Sequence, residues 1–176
     1  MYTCVKEPDL GTNLSQGPYK DSGLARLWRK VVETDAMAVD DFAPYAPSNG
    51  APAAFVGVPM RDAHGKQIGV FAVQLPTEQI AKIMQQRSGM GKTGETYLVG
   101  SDLRMRSDSF LDPDGHSVAA SFAGSVAQNG CDTEAARAAL KGQTDADVIL
   151  DYGGNPVLSA WAPLDFLGTR WAVLAE

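Results

Sequence analysis

Apolar residues recur in two rhythms along this chain, and the changes of rhythm divide it into elements. In the stretch 22–34, Leu24, Leu27, Trp28 and Val31 return at helical spacing. That predicts a helix with one apolar face, and Ser22 or Asp21 is placed to cap it. Strand-like runs lie around it: MYTCVKE (1–7), AMAVDDF (36–42), APAAFVGVPM (51–60) and KQIGVFAVQL (66–75). The last two are joined by RDAHG and form the clearest hairpin in the sequence. EPDLGTNLSQGPYKDSG, rich in glycine and proline, reads as a loop, as does APYAPSNG (43–50). PTEQIAKIMQQR (76–87) has Ile80, Ile83 and Met84 at helical spacing, with Pro76 suited to a first turn and Thr77 to a cap.

The second half follows the same plan. TYLVGS (96–101) and LRMRSD (103–108) read as strands around a turn at Ser101-Asp102, and residues 110–130 carry no clear period. DTEAARAALKG (132–142) reads as a helix with an Asp132 cap and Gly142 as its stop. Three strands follow, over 145–152, 155–164 and 168–176. AAFVGVPM-turn-GKQIGVFAVQL in the first half parallels PVLSAWAPL-turn-GTRWAVLAE in the second. A helix followed by antiparallel strands, twice over, predicts two α+β modules, residues 1–88 and 89–176.

Between them lies GMGKTG (89–94), whose glycine, lysine and threonine suggest a phosphate-binding loop. The spacing does not fit. A P-loop needs a glycine five positions before Gly91, and Gln86 stands there. The order of elements is also reversed, because a P-loop follows a strand and opens a helix. The expected role is a turn, with Gly89 or Gly91 ending the helix in the left-handed conformation.

Composition adds exclusions. The 44% hydrophobic and 20% charged content suits an ordinary globular chain. The net charge of −6, all of it arising after residue 88, argues against nucleic acid as a partner. Cys4 and Cys131 have no metal-type spacing and are expected to be free thiols. No run approaches the roughly 18–20 apolar residues of a membrane span.

The segment GMGKTGETYLVGSDLRMRSDS resembles the entry to the membrane-proximal module of double Cache domains. These PAS-like sensors are the extracytoplasmic parts of bacterial chemoreceptors, sensor histidine kinases and diguanylate cyclases. VKEPDLGTNLSQGPYKDSGLARLWRK, FAPYAPSNGAPAAFVGVPM and GVFAVQLPTEQI resemble the membrane-distal module, and DADVILDYGGNPVLSAWAPL with WAVLAE the closing strands. The resemblance implies tandem Cache modules, each an antiparallel sheet with helices packed on it, the distal one lacking its N-terminal helix and first strand. It implies a periplasmic part of an inner-membrane receptor that binds a small molecule, without cofactor, metal or nucleic acid. Homodimerisation stays open.

By position, the family's distal ligand pocket points to Arg26, Trp28, Tyr45, Ser48, Asn49 and Gln74. An arginine fork, an aromatic wall and several amides and hydroxyls suit a small polar metabolite. Trp28 is equally well plain core, and Arg26 equally well a solvated surface group. The amino-acid-binding subset carries carboxylates where this chain has Pro47 and Gln74, so an organic acid or neutral metabolite is the expectation. In the second module, Arg106 with Asp108 is read as a structural ion pair. Two other function classes remain in view. One is a protein-interaction or dimerisation module. The other is a hydrolase built on Cys131, His116 and an aspartate, which no local signature supports.

Overall fold

The computed structural model describes residues 1, 3 and 7–176. The strand expected over 1–7 rests mostly on residues 2, 4, 5 and 6, which lie outside the described residues, as does Cys4. The chain divides into two compact units, residues 1–75 with 167–169, and residues 76–166 with 170–176.

In the first unit, α1 (Gly23–Thr34) begins where the Ser22 hydroxyl accepts the Ala25 amide at 3.2 Å. It ends at Asp35, whose φ of 51° is left-handed. The sheet is antiparallel in the order β1 (Ala38–Pro44), β2 (Pro52–Arg61), β3 (Gln67–Gln74). Its β2–β3 hairpin lies close to its sequence-read bounds. Leu27 and Val31 of α1 are fully buried against this sheet. Burying each stabilises the unit by about 1.5–3 kcal/mol. Gly57 of β2 makes that contact close, since a Cβ there would sit 3.0 Å from a Leu27 methyl and 3.3 Å from one of Val31. A 3-10 turn over Ala46–Ser48 follows β1 and buries Pro47.

The second unit starts with α2 (Thr77–Met84). Ile80, Ile83 and Met84 recur at helical spacing, yet none of its residues is buried and Ile83 is 66% exposed. Thr77 does not cap it; Pro76 stands at the cap, without a side-chain bond. The sheet runs β4 (Thr96–Gly100), β7 (Thr169–Ala175), β6 (Pro156–Phe166), β5 (Asp145–Leu150). Two short helices, α3 (Val118–Ala123) and α4 (Val126–Asn129), occupy the stretch that had no clear period. α5 (Glu134–Leu140) joins the sheet's core cluster through Ala135, Ala136 and Ala139, whose small side chains permit close approach. Thr133, rather than Asp132, caps α5 by accepting the Ala136 amide, while Asp132 pairs with Arg137.

GMGKTG is a turn, as expected, but it does not end the helix. α2 ends at Gln85, so neither glycine caps it, although Gly89 and Gly91 do take positive φ (85° and 67°). The turn instead encloses Arg87. Its Nε donates to the Gly94 carbonyl at 2.9 Å, and its Nη2 to those of Gly91 and Lys92 at 3.2 and 2.8 Å. The loop thus aims these carbonyl oxygens at a cation, the reverse of a phosphate cradle.

Residues 103–108 are not a strand. Only Met105 bridges to Val99, and Leu103 is left-handed at φ 62°. The run is instead folded inward. Arg106 is 2% exposed and pairs with Asp102 at 2.9 Å, whereas Asp108 accepts the Val118 amide. Glu95 holds the next turn. Its buried carboxylate accepts the Ser109 hydroxyl, the Tyr152 phenol and the amides of Phe110 and Leu111. Replacing it with alanine orphans several donors at once. Glu95→Ala should therefore lower stability by roughly 2–4 kcal/mol, read as the shift in a urea unfolding midpoint.

Candidate ligand cavity

The first unit holds a cavity of about 1170 Å³. Its walls come from three places: Leu24 and Trp28 of α1, the sheet residues Phe55, Val70, Ala72 and Gln74, and the loop that includes Glu7 and residues 11–15. Trp28 points into it because helical spacing puts Leu24 and Trp28 on one stripe beside the buried Leu27 and Val31. Tyr45 closes one side, with its ring edge-on to Phe55 at 4.9 Å.

Tyr45 is 3% exposed, and its phenol donates to Asp9 Oδ2 at 2.5 Å. Burial, and then this bond to a carboxylate, hold the phenol well above its ordinary pKa. Asp9 is itself buried, and its other oxygen has no hydrogen-bond partner among the described residues. Glu7 lies on the cavity wall and accepts the Ser48 hydroxyl at 3.0 Å.

Of the six expected site residues, Trp28, Tyr45 and Gln74 line this cavity. Gln74 is exposed, so its amide needs no buried partner. Ser48 stands behind the wall, bound to Glu7, and Asn49 is an exposed residue at φ 54° that ends the 3-10 turn. Arg26 lies elsewhere. Its Nε and Nη2 form a fork on Asp40 at 3.0 and 2.8 Å, beside Gly23. Burial raises the Asp40 pKa despite this partner. Glu7 and Asp9 were not among the expected residues, since carboxylates in a turn-rich loop are ordinary. Only the fold carries them across 41 and 36 residues to Ser48 and Tyr45.

The second unit has a much smaller cavity, about 130 Å³, beside Thr77, Glu78, Ser107 and Asp108. Cys131, His116 and an aspartate do not assemble into a triad. His116 bonds Asp112 at 2.6 Å and packs on Tyr152. Cys131 lies near the Tyr97 and Thr133 hydroxyls, fully buried. Among the described residues no cluster of His, Cys, Asp or Glu could hold a metal ion. Nor is any helix long and apolar enough to cross a membrane.

No family model matches the sequence, and no curated protein matches it. Solved structures do. The chain is similar to the periplasmic sensory domain of the Campylobacter jejuni chemoreceptor Tlp1, at TM-score 0.56 and 16% identity, over 80% of this chain and 48% of that one. The fold is Cache-like. It is similar also to the ligand-binding domain of the Pseudomonas aeruginosa amino-acid chemoreceptor PctC, in complex with GABA, at TM-score 0.53 and 18% identity, over 88% and 62%. A third is the ligand-binding domain of the Pseudomonas fluorescens chemoreceptor CtaA in complex with L-leucine, at TM-score 0.54 and 16% identity, over 97% and 62%. This chain therefore spans between about half and two thirds of the length of these sensory domains. At such identities the likeness shows a Cache-like fold of two antiparallel sheets with helices.

Burial pushes the Cys131 thiol up to about 12, from an ordinary 9.0. Above pH 9.0 the unfolded chain loses this proton while the folded chain keeps it, so this group's contribution makes stability fall as pH rises. In a Cys4→Ser background, Cys131 should resist a thiol reagent at mildly alkaline pH until urea unfolds the protein.

Proposed function

We propose that the chain is the extracytoplasmic ligand-sensing part of a bacterial transmembrane signalling receptor, and that a small metabolite binds in the cavity of the first unit. The observation that supports this most is the cavity itself. It has the size and aromatic lining of a metabolite site, in a fold shared with chemoreceptor domains solved with amino acids or GABA. Residues 1–88 are read as the membrane-distal module and 89–176 as the membrane-proximal one. A ligand that prefers one conformation shifts the population toward it, by no more than its difference in affinity between the two. Arg26, the fork expected to take an organic acid, is already bonded to Asp40, which weakens that ligand class.

A thermal-shift panel of organic acids, amino acids, amines, sugars and purines tests the reading. A ligand at about 100 times its dissociation constant adds roughly 2.7 kcal/mol, a rise of several degrees. One class should raise the melting temperature, and Trp28→Ala should abolish the rise. If no class does so, the sensing role falls.

One observation favours a second reading, a protein-interaction or dimerisation module. On β5 and β6 the cross-strand pairs Ala146–Ala160, Val148–Leu158 and Leu150–Pro156 are all exposed and apolar. Val148, Leu150 and Leu158 are 65%, 62% and 70% exposed. A patch of this kind marks an interaction surface. Under that reading the protein sediments as a dimer and Leu158→Lys returns it to a monomer; a wild-type monomer at high concentration counts against it.

A further inference from the structure

We propose that the cavity of the first unit takes an organic ammonium cation without a carboxylate, a proposal that rests on the ligand-binding role above. Charge is the first argument. Glu7 supplies a carboxylate at the wall, and Asp9 supplies another one hydrogen bond behind it. Among the described residues lining the cavity there is no lysine, arginine or histidine. The amino group of Met1, at the wall, donates to the Thr12 carbonyl at 2.9 Å. The cationic side chains of α1 are bonded elsewhere. Arg26 holds Asp40, Arg29 donates to the Lys20 carbonyl and Lys30 to that of Val39. Among the described residues of this wall a ligand carboxylate meets no cationic side chain, whereas a ligand cation meets an anion.

Hydrogen-bond direction is the second argument. The Tyr45 hydroxyl has only one proton, and it goes to Asp9. What Tyr45 has left to offer is an acceptor, polarised by the carboxylate behind it. Ser48 holds Glu7 in the same way, by donating to it. The unpartnered oxygen of the buried Asp9 adds negative potential that no described donor answers. Each of these features suits a ligand that donates or carries positive charge.

The apolar wall is the third. Trp28, Tyr45 and Phe55 bring three aromatic rings to one cavity. Aromatic faces attract cations through the ring quadrupole, the more strongly where water is excluded. They also accommodate the methyl or methylene groups that an organic ammonium carries. An inorganic cation has no use for such a wall.

Titration calorimetry on the 176-residue chain decides the matter with two matched pairs. Choline is set against the neutral alcohol in which carbon replaces its quaternary nitrogen, and n-butylamine against n-butanol, with succinate as an anionic probe. At least one cation should bind, about tenfold or more tighter than its neutral partner. Glu7→Gln, at a half-buried position, should remove most of that preference without moving the melting temperature. Asp9→Asn should weaken the same cation, and Trp28→Ala should weaken cation and neutral partner alike. Equal affinity for cation and neutral partner overturns the proposal, as does a charge preference that survives Glu7→Gln. If succinate or a neutral probe binds while neither cation does, the ligand class is wrong and the cavity still functions. If no probe and no member of the thermal-shift panel binds, the sensing role fails with it.

Discussion

The hydrogen bond from Tyr45 to Asp9 is the constraint on which the candidate site depends. It ties the N-terminal loop to a residue seated between β1 and the 3-10 turn, within a unit that is otherwise one helix on a three-stranded sheet. Such a unit has a core of few residues, chiefly Leu27, Val31, Ala38, Tyr45, Ala53 and Phe55. Tyr45 belongs to that core and to the cavity at once. Its ring is fixed by Phe55 and its hydroxyl by Asp9, so the wall it presents is set by packing rather than left to a mobile side chain.

The two units solve the same packing problem with different residues. α1 brings bulky side chains and the sheet yields at Gly57, where a side chain would strike Leu27. α5 brings Ala135, Ala136 and Ala139, and the sheet supplies the bulk through Tyr97, Trp161 and Leu174. Both arrangements keep the pair close-packed. Among the described residues the larger hollow lies beside the first helix, walled by Leu24 and Trp28 on one side and by Val70, Ala72 and Gln74 on the other.

Where apolar period and local chemistry agreed, the sequence was readable. α1, the β2–β3 hairpin and the last three strands lie within a few residues of their expected bounds. Resemblance pointed to Trp28, Tyr45 and Gln74, which line one cavity, though not to their partners. Glu7 and Asp9 stayed hidden, because a carboxylate in a turn has no period and its partner is long-range. Arg26 was misplaced for a related reason. A helical arginine can reach several neighbours, and Asp40, one strand away, offers two oxygens in a fork geometry. Residues 103–108 alternate like a strand, yet Arg106 finds its ion partner in the turn and Ser107 and Ser109 bond inward. α2 shows the opposite failure, a helical period with no buried face.

Glycine-rich turns usually give a chain somewhere to bend. The one after α2 does not, because Arg87 fills it. The guanidinium gathers three carbonyls of residues 91–94 around itself and lies flat on Phe110, while Thr96 bonds the Met84 carbonyl across the same joint. The end of α2 and the first residue of β4 are thereby clamped like two bars under one bolt. A push along α2 travels into the strand instead of being absorbed at the turn, and the flexibility written into four residues of sequence is withdrawn by one side chain.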